Sequence, residues 1–345
     1  MLRAIDRLRQ EDPELRHRPM RVEAPPVLRR APDLATIPVH RSGRLGGQAW
    51  EQLELPRAAG DGLLVNLCNL APLVSRRSVT LIHDAQVFAS PGSYGAAFRA
   101  WYRLAQPLLG RRQAKILTVS AFSAEALARF GVAPRARIEV VHNGVDHLRR
   151  IPADPALAVR LGLAPGAYAV ALANTQSHKN VGLLMRAFAD PRLSGVALVL
   201  FGGADRAAFE AAGHAVPPNA VFAGRASDAE LRGLLEAARC LLFPSTTEGF
   251  GLPPLEAMDL GCPAVVAPCG ALPEVCGPAA TTAPADDPAA WAEAVRARGE
   301  PGVRARWSEA GRARAAGFTW EAAARRLLSI LDALPPPAEK VPSAG

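Results

Sequence analysis

FPSTTEGFGLPPLEAMDLGCPAVVAPCGALPEVCG, residues Phe243–Gly277, sets two glutamates, Glu248 and Glu256, on either side of a glycine-rich turn. A short apolar strand over Cys240–Pro244 runs into Thr-Glu-Gly-Phe-Gly, and Leu252–Asp259 has helical composition. Pro253 and Pro254 fit a first helical turn, where a missing N–H costs little. Such a junction turns bare backbone N–H groups and the positive end of a helix dipole outward, which suits a phosphate. The two acids need other partners, and sugar or ribose hydroxyls are the obvious neutral ones. The segment reads as a holder for a sugar joined to a nucleotide diphosphate.

Working outward, short β-branched or apolar runs alternate with helical stretches, the mark of parallel α/β sheets. Strands are expected near Gly62–Cys68, Val79–His83, Ala114–Ser120 and Ile138–His142, with helices over Tyr94–Leu109 and Ser123–Phe130. A Pro- and Ala-containing connector, Arg149–Pro165, reads as a hinge. Beyond it come strands at Ala167–Ala173, Val196–Phe201, Cys240–Pro244 and Pro263–Ala267. Helices are expected over Asn180–Ala189 and Asp228–Ala238, and near Pro288–Arg298, Gly302–Arg314 and Thr319–Leu334. The tail from Pro335 reads as disordered.

The 345 residues suffice for two ordinary domains, and 49% hydrophobic with 21% charged content is that of a globular protein. No apolar run reaches membrane-spanning length, and the charged N-terminus does not read as a signal peptide, so a cytoplasmic protein is expected. The five cysteines lie in apolar or turn contexts and read as free thiols. Residues 1–150 hold 23 Lys+Arg against 13 Asp+Glu, whereas residues 151–345 hold 17 against 19. The basic half suggests an anionic neighbour, an inner membrane face or a lipid-linked phosphate. Nucleic acid is disfavoured, because no binding motif accompanies the charge. No Asp-x-Asp triplet is present, so neither a metal nor another cofactor is expected.

Taken alone, Glu248 and Glu256 also read as a turn residue and a solvated helix position. The whole string, Glu-Gly-Phe-Gly-Leu-Pro-Pro-Leu-Glu-Ala-Met followed by Gly-Cys-Pro-Ala-Val-Val-Ala and Leu-Pro-Glu-Val, resembles the donor site of the retaining glycosyltransferases of family 4. That resemblance implies an α/β fold of two doubly wound Rossmann-like domains facing a cleft, the glycosyltransferase B (GT-B) architecture. Residues 1–150 would form the acceptor-side domain and 151–318 the nucleotide-sugar domain. Residues 319–334 would return as a helix bracing the first domain, and 335–345 would be the tail.

The resemblance also implies roles. Ser177-His178-Lys179-Asn180 is similar to the family's basic-Lys-Asn phosphate motif, with His178 where an arginine is more usual and Ala173 where another phosphate-binding arginine often lies. Lys179 would neutralise the diphosphate together with amides around Gly249, Phe250, Gly251 and Leu252. Glu248 would hold sugar hydroxyls, Glu256 the ribose, and Gly202, Gly203 and Arg225 the nucleotide base. His83, at the end of Val79-Thr-Leu-Ile-His, reads equally as a satisfied structural residue; in the family such a His lies beside the transferred sugar. Asp84 would orient its loop, and Asn143-Gly144 would close the domain edge as a turn. Trp50-Glu51-Gln52 reads as a simple helix and is also similar to mannosyltransferase-like members. The implied reaction is hexose transfer with retention, mannose from GDP-mannose first, onto a saccharide or polyprenyl-diphosphate-linked acceptor in surface-polysaccharide synthesis.

Family members open with a strand and a glycine loop, whereas Met1–Leu8 is already amphipathic and helix-like. Either the true start lies upstream of Met1 or the first domain lacks a central strand, and a chain starting at Met1 is expected to transfer weakly or not at all. A truncated nucleotide-sugar-binding relative stays open, as does an epimerase or phosphorylase on the same fold, against which the Gly-Phe-Gly-Leu-Pro-Pro string argues.

Overall fold

Two parallel sheets organise the chain, which a computed structural model describes over residues 1–28, 30–75 and 77–335. Apart from Pro335, the expected tail lies outside the described residues. In the first half, β1 (Val22–Ala24) and β2 (Val39–Arg41) form a two-stranded parallel ribbon. β3 (Leu64–Asn66), β4 (Ser78–Leu81), β5 (Lys115–Thr118) and β6 (Ile138–Val140) pair side by side in chain order. The ribbon is not hydrogen-bonded to that sheet, so β3 is an edge on the side where the ribbon lies apart in the pairing.

The second half builds β7 (Tyr168–Ala173), β8 (Ala197–Gly202), β9 (Ala220–Gly224), β10 (Cys240–Phe243), β11 (Ala264–Val266) and β12 (Thr281–Thr282). Their order is β12-β11-β10-β7-β8-β9, all parallel. The chain runs outward from β7 through β8 to β9, then crosses back to β10. The reversal falls between β7 and β10, and open α/β sheets bind ligands beyond the strand ends at such a point. Continuous burial of β10 and near-continuous burial of β7 explain their unbroken apolar sequences.

Two expectations need amending. Arg149–Pro165 is no bare connector: it contains the helix Ala156–Arg160, whose Leu157 and Ala158 pack with Tyr168, Val199 and Leu234. The Arg232 guanidinium donates to the carbonyls of Arg149 and Ile151, at 2.8 and 2.6 Å, fastening the segment to the second domain. Trp50–Glu54 is not a simple helix but a π-helical segment, with Trp50 Nε1 donating to the Ser42 carbonyl at 2.9 Å. Its wider turn lies between short α-helical pieces, Gly47–Ala49 and Leu55–Ala59.

The last helix, Trp320–Asp332, leaves the second domain and lies on the first. Its amphipathic face joins Ala4, Ile5 and Leu8 of the opening helix in one core with Leu117 and Val141. Asp146 accepts from the Trp320 N–H at 2.7 Å, the Val145 N–H reaches the Phe318 carbonyl at 3.0 Å, and Arg326 pairs with Glu139 at 2.9 Å. Gly144 lies at this seam: a Cβ there would fall 2.1 Å from the Trp320 nitrogen. Gly144→Ala is therefore expected to push the helix off its seat and cost about 1–3 kcal/mol. A lowered urea midpoint measures this; an unchanged midpoint contradicts it.

Candidate active site

Everything at the site hangs from the two loops at the reversal point. The loop after β7 ends in Asn180, whose φ of 54° is left-handed, a conformation asparagine tolerates better than most residues. Its side chain donates to the carbonyls of Pro244 (3.2 Å) and Ala285 (2.8 Å), tying this loop to the end of β10. That bracing sets Lys179 Nζ 2.6 Å from Glu248 Oε1, both side chains largely buried. The Lys179 ammonium also lies 5.8 Å from the centre of the Phe243 ring.

A cavity of about 190 Å³ opens beside this pair. Lys179, Glu248 and Gly249–Leu252 line it from the second domain, and His83 and Asp84 from the first. Gly251 makes the corner possible: its φ is +98°, and a Cβ would meet Leu272 Cδ2 at 2.6 Å. The N–H groups of Gly249, Phe250, Gly251 and Leu252 make no hydrogen bond to another described group. Pro253 and Pro254 have no N–H to offer, so the amides available to an anion are those of the glycine turn and of Leu252.

His83 is held rather than loose. Its N–H donates to Asn69 Oδ1 at 2.8 Å, and its Nε2 lies 3.1 Å from the Leu67 carbonyl. A carbonyl only accepts, so Nε2 carries the proton and Nδ1 is left as an acceptor. Across the cleft, Ser120 and Ser123 hydroxyls both donate to the Gly249 carbonyl, at 2.6 and 2.9 Å. Gln86 Nε2 reaches the Thr247 carbonyl at 3.4 Å. Glu274 accepts from the N–H groups of Ala121 and Phe122, at 2.8 and 2.9 Å, and lies 3.3 Å from His142 Nε2. Burial raises the Glu274 carboxyl, but these hydrogen bonds outweigh it and hold the group below its ordinary value.

Sequence reasoning missed several of these residues. Asn69, Ser120, Ser123 and Glu274 act across the chain, and only Ser120 carried a local signal, as the N-cap of Ala121–Arg129. His178 is buried, with Nδ1 2.9 Å from Ser93 Oγ of the first domain. Burial and then the Lys179 charge depress its pKa. It is a neutral link between domains, leaving Lys179 as the cation lining the cavity.

The remaining expected donor-site residues stand outside that cavity. Gly202 ends β8, Gly203 follows it and Arg225 follows β9, so they continue the row of loops begun by β10 and β7. Three strand steps of about 4.8 Å set Arg225 on the order of 14 Å along this edge from the Glu248 loop. Arg225 is exposed. Glu256 lies one turn into the helix Leu252–Asp259, its Oε1 3.4 Å from His147 Nε2. Burial, helped by Asp228 and Asp259, pushes its carboxyl up to about 7. Among the described residues no cluster of three or more His, Cys, Asp or Glu is placed to hold a metal ion. No described helix is long and apolar enough to cross a membrane.

Residues 64–149 match the family model described as Glycosyltransferase Family 4, and residues 167–298 that described as Glycosyl transferases group 1. The chain is 32% identical over 259 residues to O-antigen chain mannosyltransferase B of Escherichia coli, covering 71% of this chain and 67% of that protein. It is 30% identical over 283 residues to the MMP alpha-(1->4)-mannosyltransferase of Mycolicibacterium hassiacum, covering 79% and 68%. Among solved structures, WaaG, a glycosyltransferase involved in lipopolysaccharide biosynthesis, matches with a TM-score of 0.68 at 15% identity over 96% of this chain and 94% of that one. Anabaena HepE in complex with UDP and glucose matches with 0.67 at 19% identity over 87% of each. These likenesses show the two-domain GT-B fold.

The Glu256 carboxyl makes stability depend on pH. Its folded value of about 7 exceeds the ordinary 4.5, so between these the folded chain binds more protons than the unfolded one. Its contribution to stability accordingly falls as pH rises through that window. Glu256→Gln is expected to flatten the decline, read as the thermal midpoint at several pH values from about 5 to 7.5; parallel curves for variant and parent contradict it.

Proposed function

The chain belongs to glycosyltransferase family 4, and from that premise we propose that it transfers a hexose, mannose from GDP-mannose first, with retention and without a metal. The acceptor is a saccharide or a polyprenyl-diphosphate-linked sugar in surface-polysaccharide assembly. Two relatives carrying mannosyltransferase in their names support the sugar; the structure of HepE with UDP and glucose makes UDP-sugars the alternative to screen. The excess of arginine in the first half suits work at the cytoplasmic face of the membrane.

One observation carries the reading: an ammonium group and a carboxylate, joined in an ion pair, line a cavity that a histidine of the other domain flanks. Lys179 and the amides of Phe250–Leu252 receive the departing diphosphate, where negative charge develops. Glu248 takes hexose hydroxyls, Glu256 the ribose, and the loops at Gly202-Gly203 and Arg225 the base. The bond from the anomeric carbon to the phosphate breaks as the acceptor oxygen bonds on the same face. The acceptor's proton passes to the leaving phosphate, so no carboxylate base is needed. His83, fixed through Nε2, flanks the reacting sugar.

A second reading, a relative that binds nucleotide sugar with little turnover, is favoured by the separation of β1 and β2 from the four-stranded sheet. Donor binding with no transfer to any acceptor would select it.

The ion pair generates the test. A diphosphate that draws Lys179 away leaves Glu248 buried and unpaired unless a sugar supplies hydroxyls, a penalty of about 1–3 kcal/mol. Thermal-shift titration is expected to show stabilisation by a GDP- or UDP-sugar without added metal, and a loss of roughly 10- to 100-fold in affinity for Lys179→Ala. Glu248→Gln is expected to bind GDP at least as well as the parent while losing its preference for the sugar-bearing donor. An unchanged preference for the donor in Glu248→Gln overturns the assignment.

A further inference from the structure

In the first domain, outside the residues that line the cavity, Tyr94, Phe98 and Tyr102 recur every four residues along the approach to and face of the helix Ala96–Arg112. They stack as a ladder. Tyr94 and Phe98 have ring centres 5.6 Å apart and 8° from parallel; Phe98 and Tyr102 are 4.1 Å apart and 24° from parallel. Phe98 is 44% exposed, and neither it nor Tyr94 belongs to any of the apolar cores. Core packing therefore accounts for Tyr102, which lies against the first-domain core, but not for Tyr94 and Phe98.

The ladder has two polar ends, and both lead to the site. At the near end the Tyr94 hydroxyl donates to Gln86 Oε1 at 3.2 Å, and Gln86 in turn donates to the Thr247 carbonyl, one residue before Glu248. Burial, then Asp84 and Glu248 from the cavity wall, push the Tyr94 phenol up to about 12. At the far end Tyr102 lies within electrostatic range of Glu51 and Cys68. Cys68 follows Leu67, whose carbonyl holds His83 Nε2. The Glu51 carboxyl is raised by burial, with a 3.2 Å hydrogen bond from Gln52 Nε2. With ring centres 5.6 and 4.1 Å apart in turn, the ladder spans at most about 10 Å.

We propose that this aromatic ladder, running from the Gln86 link to the donor loop toward Glu51, is the acceptor subsite and receives a saccharide chain. The inference rests on the proposed transfer reaction and names where its second substrate lies. Aromatic rings take the apolar faces of pyranose rings, while the Tyr94 hydroxyl and the Glu51 carboxylate offer the hydrogen-bonding groups that hydroxyls require. Beyond its bond to Gln86 the Tyr94 oxygen can still accept, and Glu51 keeps acceptor capacity beyond its bond from Gln52; sugar hydroxyls use that capacity and an alkyl chain does not, which argues for sugar over lipid.

Saturation-transfer NMR on the full chain, with methyl α-mannopyranoside and mannobiose as probes and GDP present, tests it. Binding to the parent is expected to weaken by roughly five- to tenfold in Phe98→Ala and to weaken in Glu51→Gln. The affinity for GDP-mannose or UDP-glucose, read separately by thermal shift, is expected to stay within roughly twofold in both variants, since neither residue touches the donor loops. Phe98→Leu, which keeps apolar bulk but not the ring, is expected to behave as Phe98→Ala does. Unchanged saccharide affinity in folded variants overturns the proposal. So does absence of saccharide binding to a parent that binds donor, or variants that lose only binding to anionic phosphatidylglycerol vesicles. A parent that binds no nucleotide sugar at all sinks the transfer reading itself, a distinguishable failure.

Discussion

The site exists because residue 249 has no side chain. A Cβ on Gly249 would fall 2.6 Å from Asp84 Cβ and 2.8 Å from the His83 carbonyl, so any larger residue would wedge the domains apart. With glycine there, two serines of the first domain grip its carbonyl, and the donor-side turn is pressed against the strand end that carries His83. The Ser93–His178 and Gln86–Thr247 contacts ring the same point. Neither domain alone supplies both walls of the cavity.

Stability alone does not explain the polar groups gathered around that contact. A buried ion pair such as Lys179–Glu248 recovers its desolvation cost only with good geometry and further hydrogen bonds, and an apolar pair often serves stability as well. Nearby, Glu256 and Asp259 are both raised by burial, and Asp259 carries Arg149 at 2.7 Å as its counterion. Of these acids Glu248 is the one in the loop beyond the carboxyl end of β10, where open parallel sheets bind their ligands.

Much of this was legible in the sequence, because its signals are local. The Glu-Gly-Phe-Gly-Leu-Pro-Pro string fixes a strand, a left-handed corner and a helix through glycine and proline chemistry, and Leu252–Asp259 begins and ends where that chemistry places it. Four strands of the second domain, β7, β8, β10 and β11, are continuous apolar runs and fall within a residue or two of their expected bounds, whereas β9 and β12 match no expected strand. β1 and β2 escaped notice because three-residue strands with mixed burial carry no periodicity. The winding at Trp50–Glu54 could not be read either, since a π turn has the composition of an α turn. The long-range partners of Ser120, Ser123, Asn69 and Glu274 were invisible for a different reason, although Ser120 reads as an N-cap and Glu274 sits in the Leu-Pro-Glu-Val string. Their partners lie elsewhere along the chain, over 120 residues away for Ser120, Ser123 and Glu274, and no local pattern encodes such a meeting.

Glu274 has a mechanical consequence. Its carboxylate, from one half of the chain, satisfies the first amides of a helix in the other, so the helix dipole of Ala121–Arg129 is terminated by a group that moves with the opposite body. Swinging the halves apart strips both partners at once. That loss, about 1–3 kcal/mol, weighs against a gaping form by a factor of roughly 5 to 150 in addition to the serine, glutamine and histidine contacts. Glu274 thus latches the halves, one carboxylate ending a helix of one while being carried by the other.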